Sequence, residues 1–273
     1  AAGGPLSSIA DVAAIGFKAV HGGKAGGVVH VNDSVLDAME EMALEYPDVI
    51  FLHCSGYKLN DSNFGNYFGK MYQPRYLSGL VAGAITQSNK IGYVAAFPIP
   101  EVVRGINAFA DGVKETNPNA TVEVVWTFTW FGPEAETQAA NALLETGADV
   151  LTQHQDSTAT GIAAEAAGAK WISYNTGYGK DAAPEAFITA PVWDWAPYYI
   201  SVVESIADGS FVPEAYWGGM ETGLVSLYEL SGDVPRTLEQ LVNERTMEIL
   251  SGSFDPPIVE DKFVDNVIGT VSP

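Results

Sequence analysis

Short apolar runs alternate with helix-like stretches along most of this 273-residue chain, and that alternation restricts the fold more than any single motif. The apolar runs fall at 49–54 (VIFLHC), 90–97, 121–127, 149–153, 170–174, 186–192 and 224–228. Between them lie helix patterns at 33–46, 73–87, 100–115, 132–147, 195–207 and 235–250, and a short one that Asp156 or Ser157 caps and Gly168 ends. Strands separated by helices of about 10–15 residues pair in parallel through right-handed crossovers. The reading is therefore α/β. The run 49–54 has no polar alternation, which predicts a strand buried on both faces. The tail after Pro257 reads as a hairpin or an edge strand. The length suits two doubly wound parallel-sheet lobes joined by a hinge. We expect residues 1–88 with about 194–215 in one lobe, and 89–193 with about 216–273 in the other. The expected hinge points are Ser88–Asn89 and Val192–Trp193.

In open parallel sheets ligands bind at the carboxyl ends of the strands. The aromatic residues of this chain gather at those positions. Residues 126–131 (WTFTWF) close one strand, Tyr174 and Asn175 another, and Trp193 and Trp195 a third. If that last strand continues, Trp193 and Trp195 face the same side. We expect Trp130 and one of Trp193 or Trp195 to hold the faces of a flat ligand, and Phe131 to touch the ligand or the opposite lobe. His154, Gln155, Asp156, Tyr174 and Asn175 would read the ligand's polar edge, and Phe97 and Tyr57 would wall the cleft. Trp171 lies inside a strand and is expected in the core.

Several functions are excluded or disfavoured. No G-x-G-x-x-G follows a strand, and there is no P-loop or G-x-S-x-G elbow. Ser55–Gly56–Tyr57–Lys58 matches S-x-x-K without the motifs that accompany it in acylating enzymes. Neighbours on a strand point to opposite faces, so His53 and Cys54 do not form a dyad. Cys54 is the only cysteine, and the four histidines show no metal-ligand spacing. No metal and no cofactor is expected. The formal charge of −21 opposes nucleic acid as a partner. No run approaches the roughly 18 apolar residues of a membrane helix.

The motifs 97–107 (FPIPEVVRGIN), 129–133 (TWFGP), 153–157 (QHQDS) and 217–223 (WGGMETG) occur in order. In these the chain resembles the basic membrane protein family, from about residue 33 to about 257. That family comprises substrate-binding lipoproteins of ABC importers with the type I periplasmic-binding fold. The tryptophans resemble its purine-base-binding branch. The resemblance implies a purine-like ligand, an ABC permease as partner, a monomer, and a place outside the cytoplasmic membrane on a lipid anchor that this sequence lacks. Residues 1–32 are shorter and richer in glycine than the family's opening strand–helix–strand unit. Many members carry a Lys–Asp pair, suited to ribose hydroxyls, in the strand after the last lobe crossing. Glu221 and Thr222 stand there in this chain, which favours a free base, adenine above the others.

The expectation is therefore a protein that binds a purine base or nucleoside between two lobes and does not alter it. Two alternatives use the same frame. One is a nucleoside hydrolase, for which Asp156, Asp194 and Glu221 could supply carboxylates. The other is the sensory domain of a receptor or regulator.

Overall fold

The computed structural model describes residues 33–232 and 234–269, with side chains from Leu36 onward. The expectation for residues 1–32 lies outside this range. The described residues divide into two compact units, 33–69 with 195–218 and 70–194 with those from 219 onward. It passes between them at Gly69/Lys70, Asp194/Trp195 and Gly218/Gly219.

The first unit contains α1 (Asp33–Glu45), β1 (Phe51–Cys54), β2 (Phe64–Gly69), α7 (Ala196–Asp208) and β9 (Ala215–Gly218). Its strands form a parallel sheet in the order β1-β2-β9. The strand expected to be buried on both faces is less covered. In β1 only His53 is buried, and Phe51, Leu52 and Cys54 are half-buried, because β2 is its one partner among the described strands. The Asn63 amide donates to the carbonyls of Ala43 and Val49 at 2.8 Å, fixing the end of α1 to the start of β1. A row of rings fills the unit. Tyr67 stacks on Tyr198 at 4.6 Å, and Tyr198 meets Tyr216 at 4.6 Å.

The second unit holds α2 (Tyr72–Ile85), β3 (Lys90–Ala95), α3 (Pro100–Thr116), β4 (Thr121–Trp126), α4 (Pro133–Glu145) and β5 (Val150–His154). It continues with α5 (Ala159–Ala166), β6 (Lys170–Ile172), α6 (Gly179–Ala182), β7 (Phe187–Thr189), β8 (Pro191–Trp193), β10 (Val225–Leu227), α8 (Arg236–Ser251) and β11 (Val267–Ile268). Six parallel strands run in the order β11-β4-β3-β5-β6-β7. The tail supplies an edge strand, β11. The single strand expected at 186–192 is two: β7 joins the main sheet, and β8 pairs antiparallel with β10.

The two faces of this sheet are covered by different helices, as alternation along β3 requires. Tyr93 points to α3, where its ring meets Phe109 at 5.6 Å. Val94 points to the opposite cluster of Ala139, Ala140, Leu143, Ala164, Trp171 and Phe187. Trp171 is fully buried there, and its indole donates to the buried Gln153 side chain at 3.1 Å.

The boundary expected near residue 88 falls instead at Gly69/Lys70, because α2 belongs with α3. These helices meet backbone to backbone. A Cβ on Gly79 would lie 2.0 Å from the Phe109 carbonyl oxygen, and one on Gly112 would lie 2.1 Å from that of Tyr76. Ser88–Asn89 is therefore an internal turn, held by Asp149, whose carboxylate accepts the amides of Gln87 and Ser88. The other expected hinge point, Val192–Trp193, is occupied by β8, and the chain crosses two residues later.

Candidate functional site

Parallel pairing brings the carboxyl ends of β3, β4, β5 and β6 to one edge of the second unit's sheet. The loops that leave those ends are joined to one another. The Asp156 amide donates to the Trp130 carbonyl at 2.9 Å, linking the loop after β5 to the loop after β4. The Gln155 amide donates to the Thr127 hydroxyl. Asn175 donates to the Asp156 carboxylate at 2.8 Å, which adds the loop after β6. Beneath them Glu136 is fully buried. One of its oxygens accepts the Gly132 amide at 3.0 Å, and the other accepts the Ser157 hydroxyl.

Two of these loops hold left-handed residues that are not glycine. Phe128 has φ +55° and Asn175 has φ +71°. Asparagine adopts this region readily, but a bulky aromatic is a genuine outlier. Phe128 is also 58% exposed and Phe131 66% exposed, with Trp130 half-buried between them. Strain of this kind concentrates at functional sites.

The side chains form a row. Phe97 meets Trp130 at 5.5 Å, Trp130 meets His154 at 6.0 Å, and His154 meets Tyr174 at 4.6 Å. The row descends from half-exposed Phe97 and Trp130 to buried His154 and Tyr174. Trp193 donates a hydrogen bond to the Tyr174 hydroxyl. Burial pushes that phenol well above its ordinary pKa, so it stays protonated. Burial also lowers the His154 pKa, against the opposing pull of Glu101, whose carboxylate oxygen lies 3.5 Å from Nε2. His154 is thus neutral at neutral pH. The Gln155 side-chain oxygen and His154 Nδ1 are buried with no hydrogen-bond partner among the described residues.

Seven of the twelve sequence-predicted residues therefore stand together: Phe97, Trp130, His154, Asp156, Tyr174, Asn175 and Trp193. Gln155 and Phe131 belong to the same loops. Tyr57 and Trp195 belong to the first unit, where Tyr57 is 65% exposed and Trp195 meets Tyr67 at 5.5 Å. The expected shared face of Trp193 and Trp195 does not form. The Asp194 amide turns to the Leu224 carbonyl, and Trp195 has helical angles as the N-cap of α7. Glu221 is not on a strand either. It sits in a 3-10 turn, Met220–Thr222, that begins where the Met220 amide donates to Gln73 and ends at left-handed Gly223. Its carboxylate lies 3.4 Å from Lys70 Nζ.

Three residues here were not anticipated as part of a site. Glu101 stands in the first turn of α3, where a carboxylate favours the positive end of the helix, and it also reaches His154. Glu136 has the same sequence signature and instead braces two loops. Arg75 is a lone cation in the small, apolar helix YQPRYLSGLVAGAI, and that contrast was the available signal. It is fully buried, with its guanidinium carbon 4.1 Å from the centre of the Tyr174 ring.

The chain has an α/β fold with parallel sheets, and its structural neighbours include solute-binding proteins of ABC transporters. A solute-binding protein of an ABC transporter from Conexibacter woesei superposes with a TM-score of 0.67 at 26% identity, covering 83% of this chain and 77% of that one. Residues 16–253 match the family described as ABC transporter substrate-binding protein, PnrA-like, and the chain belongs to that family. A candidate ABC transporter glucose-binding protein of Haloferax volcanii is 44% identical over 219 residues, which is 80% of this chain and 56% of that protein. A purine-binding protein of Brucella abortus is 37% identical over 221 residues, 81% of this chain and 62% of that protein. The chain thus spans about three-fifths of the length of these relatives. Among the described residues no helix is long and apolar enough to cross a membrane, and no cluster of His, Cys, Asp and Glu could hold a metal ion.

Proposed function

We propose that this chain is the extracytoplasmic substrate-binding part of an ABC importer, and that it binds a purine base, unaltered, for delivery to a permease. The observation that carries the ligand reading is the row Phe97–Trp130–His154–Tyr174, flanked by the Asp156–Asn175 pair. Aromatic faces stack on a base, each contributing about 1–3 kcal/mol. The amide and carboxylate groups beside them supply donors and acceptors for a heterocycle's edge. The unpartnered Gln155 oxygen fits an exocyclic amine such as that of adenine. A site of this kind rejects a ring that leaves its buried polar groups unpaired.

A sugar is the second reading, favoured by the glucose-binding name of the Haloferax volcanii relative. Sugars also lie on indole faces, but a hexose needs hydrogen-bonding groups around its whole rim. Titration calorimetry of the purified chain against adenine, guanine, hypoxanthine, adenosine and glucose separates the two. We expect adenine to bind and Trp130→Ala to weaken it about 10- to 100-fold. Saturable binding of glucose with none of any purine would overturn the ligand reading.

A further inference from the structure

We propose that Arg75 is a positioning residue for the ligand, acting through Tyr174 and His154. The inference rests on the reading that the strand-end row is the ligand surface. Arg75 lies in α2 and is fully buried. Its guanidinium carbon is 4.1 Å from the Tyr174 ring centre and 5.4 Å from that of Tyr93. Its Nε, Nη1 and Nη2 have no hydrogen-bond acceptor among the described residues. A guanidinium does not lose its proton in a protein, and buried charges are ordinarily paired. The ring faces therefore provide the compensation here, by the attraction of a cation to aromatic quadrupoles. That geometry makes the planar cation a floor under Tyr174. Tyr174 in turn abuts His154, and His154 abuts Trp130.

A second, electrostatic interaction runs to His154 itself. Arg75 Nε and His154 Nδ1 lie 3.9 and 3.8 Å from the point where a Cβ on Gly105 would stand, so they face one small space beside α3. The groups that act on His154 are Glu101 from α3, Arg75 from α2 and Asp156 from its own loop. The two carboxylates favour an imidazolium, whereas burial and the Arg75 charge oppose it. With Arg75 present the imidazole stays neutral and offers the ligand's surroundings one donor and one acceptor. Loss of the cation would both loosen the Tyr174 ring and make His154 easier to protonate.

The test compares the whole chain with Arg75→Met, which keeps length and removes charge, and Arg75→Lys, which keeps charge and removes the planar fork. Ring-nitrogen NMR titrates His154, assigned with His154→Gln. Calorimetry measures the adenine dissociation constant. In Arg75→Met we expect the His154 pKa to rise by at least about half a unit and adenine to bind at least about tenfold more weakly. In Arg75→Lys we expect little change in the titration and an intermediate loss of affinity. A folded Arg75→Met variant with adenine affinity within about twofold of the parent overturns the inference, whatever His154 does. If Arg75→Met does not fold, full affinity in Arg75→Lys overturns it. If the parent chain binds no purine, the ligand reading fails separately. The titration then decides the link to His154, and an unmoved pKa refutes it.

Discussion

Replacing Glu136 by alanine removes the carboxylate that joins the loop after β4 to the loop after β5. The side chain is fully buried and accepts two hydrogen bonds, from the Gly132 amide at 3.0 Å and from the Ser157 hydroxyl. A hydrogen bond to a charged group contributes about 1.5–3 kcal/mol, and a buried donor left without an acceptor costs about 1–3 kcal/mol. Removing a buried carboxylate also returns the cost of desolvating it, and the Ser157 hydroxyl can rotate toward another acceptor. The net loss should be about 3 kcal/mol, or a drop of about 6–12 °C in melting temperature for a chain of this size. Glu136→Gln keeps an oxygen for Gly132 and should lose about half as much. Denaturant unfolding of the parent, Glu136→Ala, Ser157→Ala and the double variant completes a mutant cycle. Its coupling should reach about 1 kcal/mol, and adenine affinity should fall as the two loops separate. A loss below about 0.5 kcal/mol, or a coupling near zero, would refute this account of the brace.

Two further outcomes follow from packing and protonation. Gly79→Ala forces a Cβ to within 2.0 Å of a backbone oxygen, so it should cost more than about 3 kcal/mol or prevent soluble expression. Gly105→Ala, whose nearest neighbours would be 3.8 Å away, should fold within about 1 kcal/mol of the parent. Equal effects at the two positions would contradict the helix contact described. Burial holds the His154 pKa below its ordinary value. The unfolded chain therefore takes up the proton first. The stability that neutral His154 contributes is complete above about pH 6.5 and declines as the pH falls toward the folded-state value, by at most about 1.4 kcal/mol per pH unit. The difference in melting temperature between the parent and His154→Gln, followed from pH 7.5 to 5, should move against the parent. A constant difference would remove this titration from the stability of the fold.

The order of strands and helices was legible because period and length specify it locally. The helix at 100–116 announces itself by Pro100 and Glu101, and α4 by Pro133 and Glu134. Two strands, β2 and β9, were not legible. FGNYFG and AYWG carry glycines and no clear alternation, and they become strands by pairing with β1 and with each other. The aromatic strand ends were readable, since they follow from where apolar runs stop. The partners beneath them were not. Arg75 stands 99 residues before Tyr174, and only the folded sheet brings the two together. The same holds for the Lys70–Glu221 pair, which spans the chain passage through the first unit.

The contact of α2 with α3 leaves no room for side chains at its centre. A side chain at Gly79 or Gly112 would meet backbone of the other helix, so neither position can be enlarged without moving the pair. The helices that carry Arg75 and Glu101 are therefore held at a fixed spacing. If the strand-end row is the ligand surface as proposed, a change of specificity in such a chain has to be written in the loops after β4, β5 and β6, above a foundation that cannot follow them.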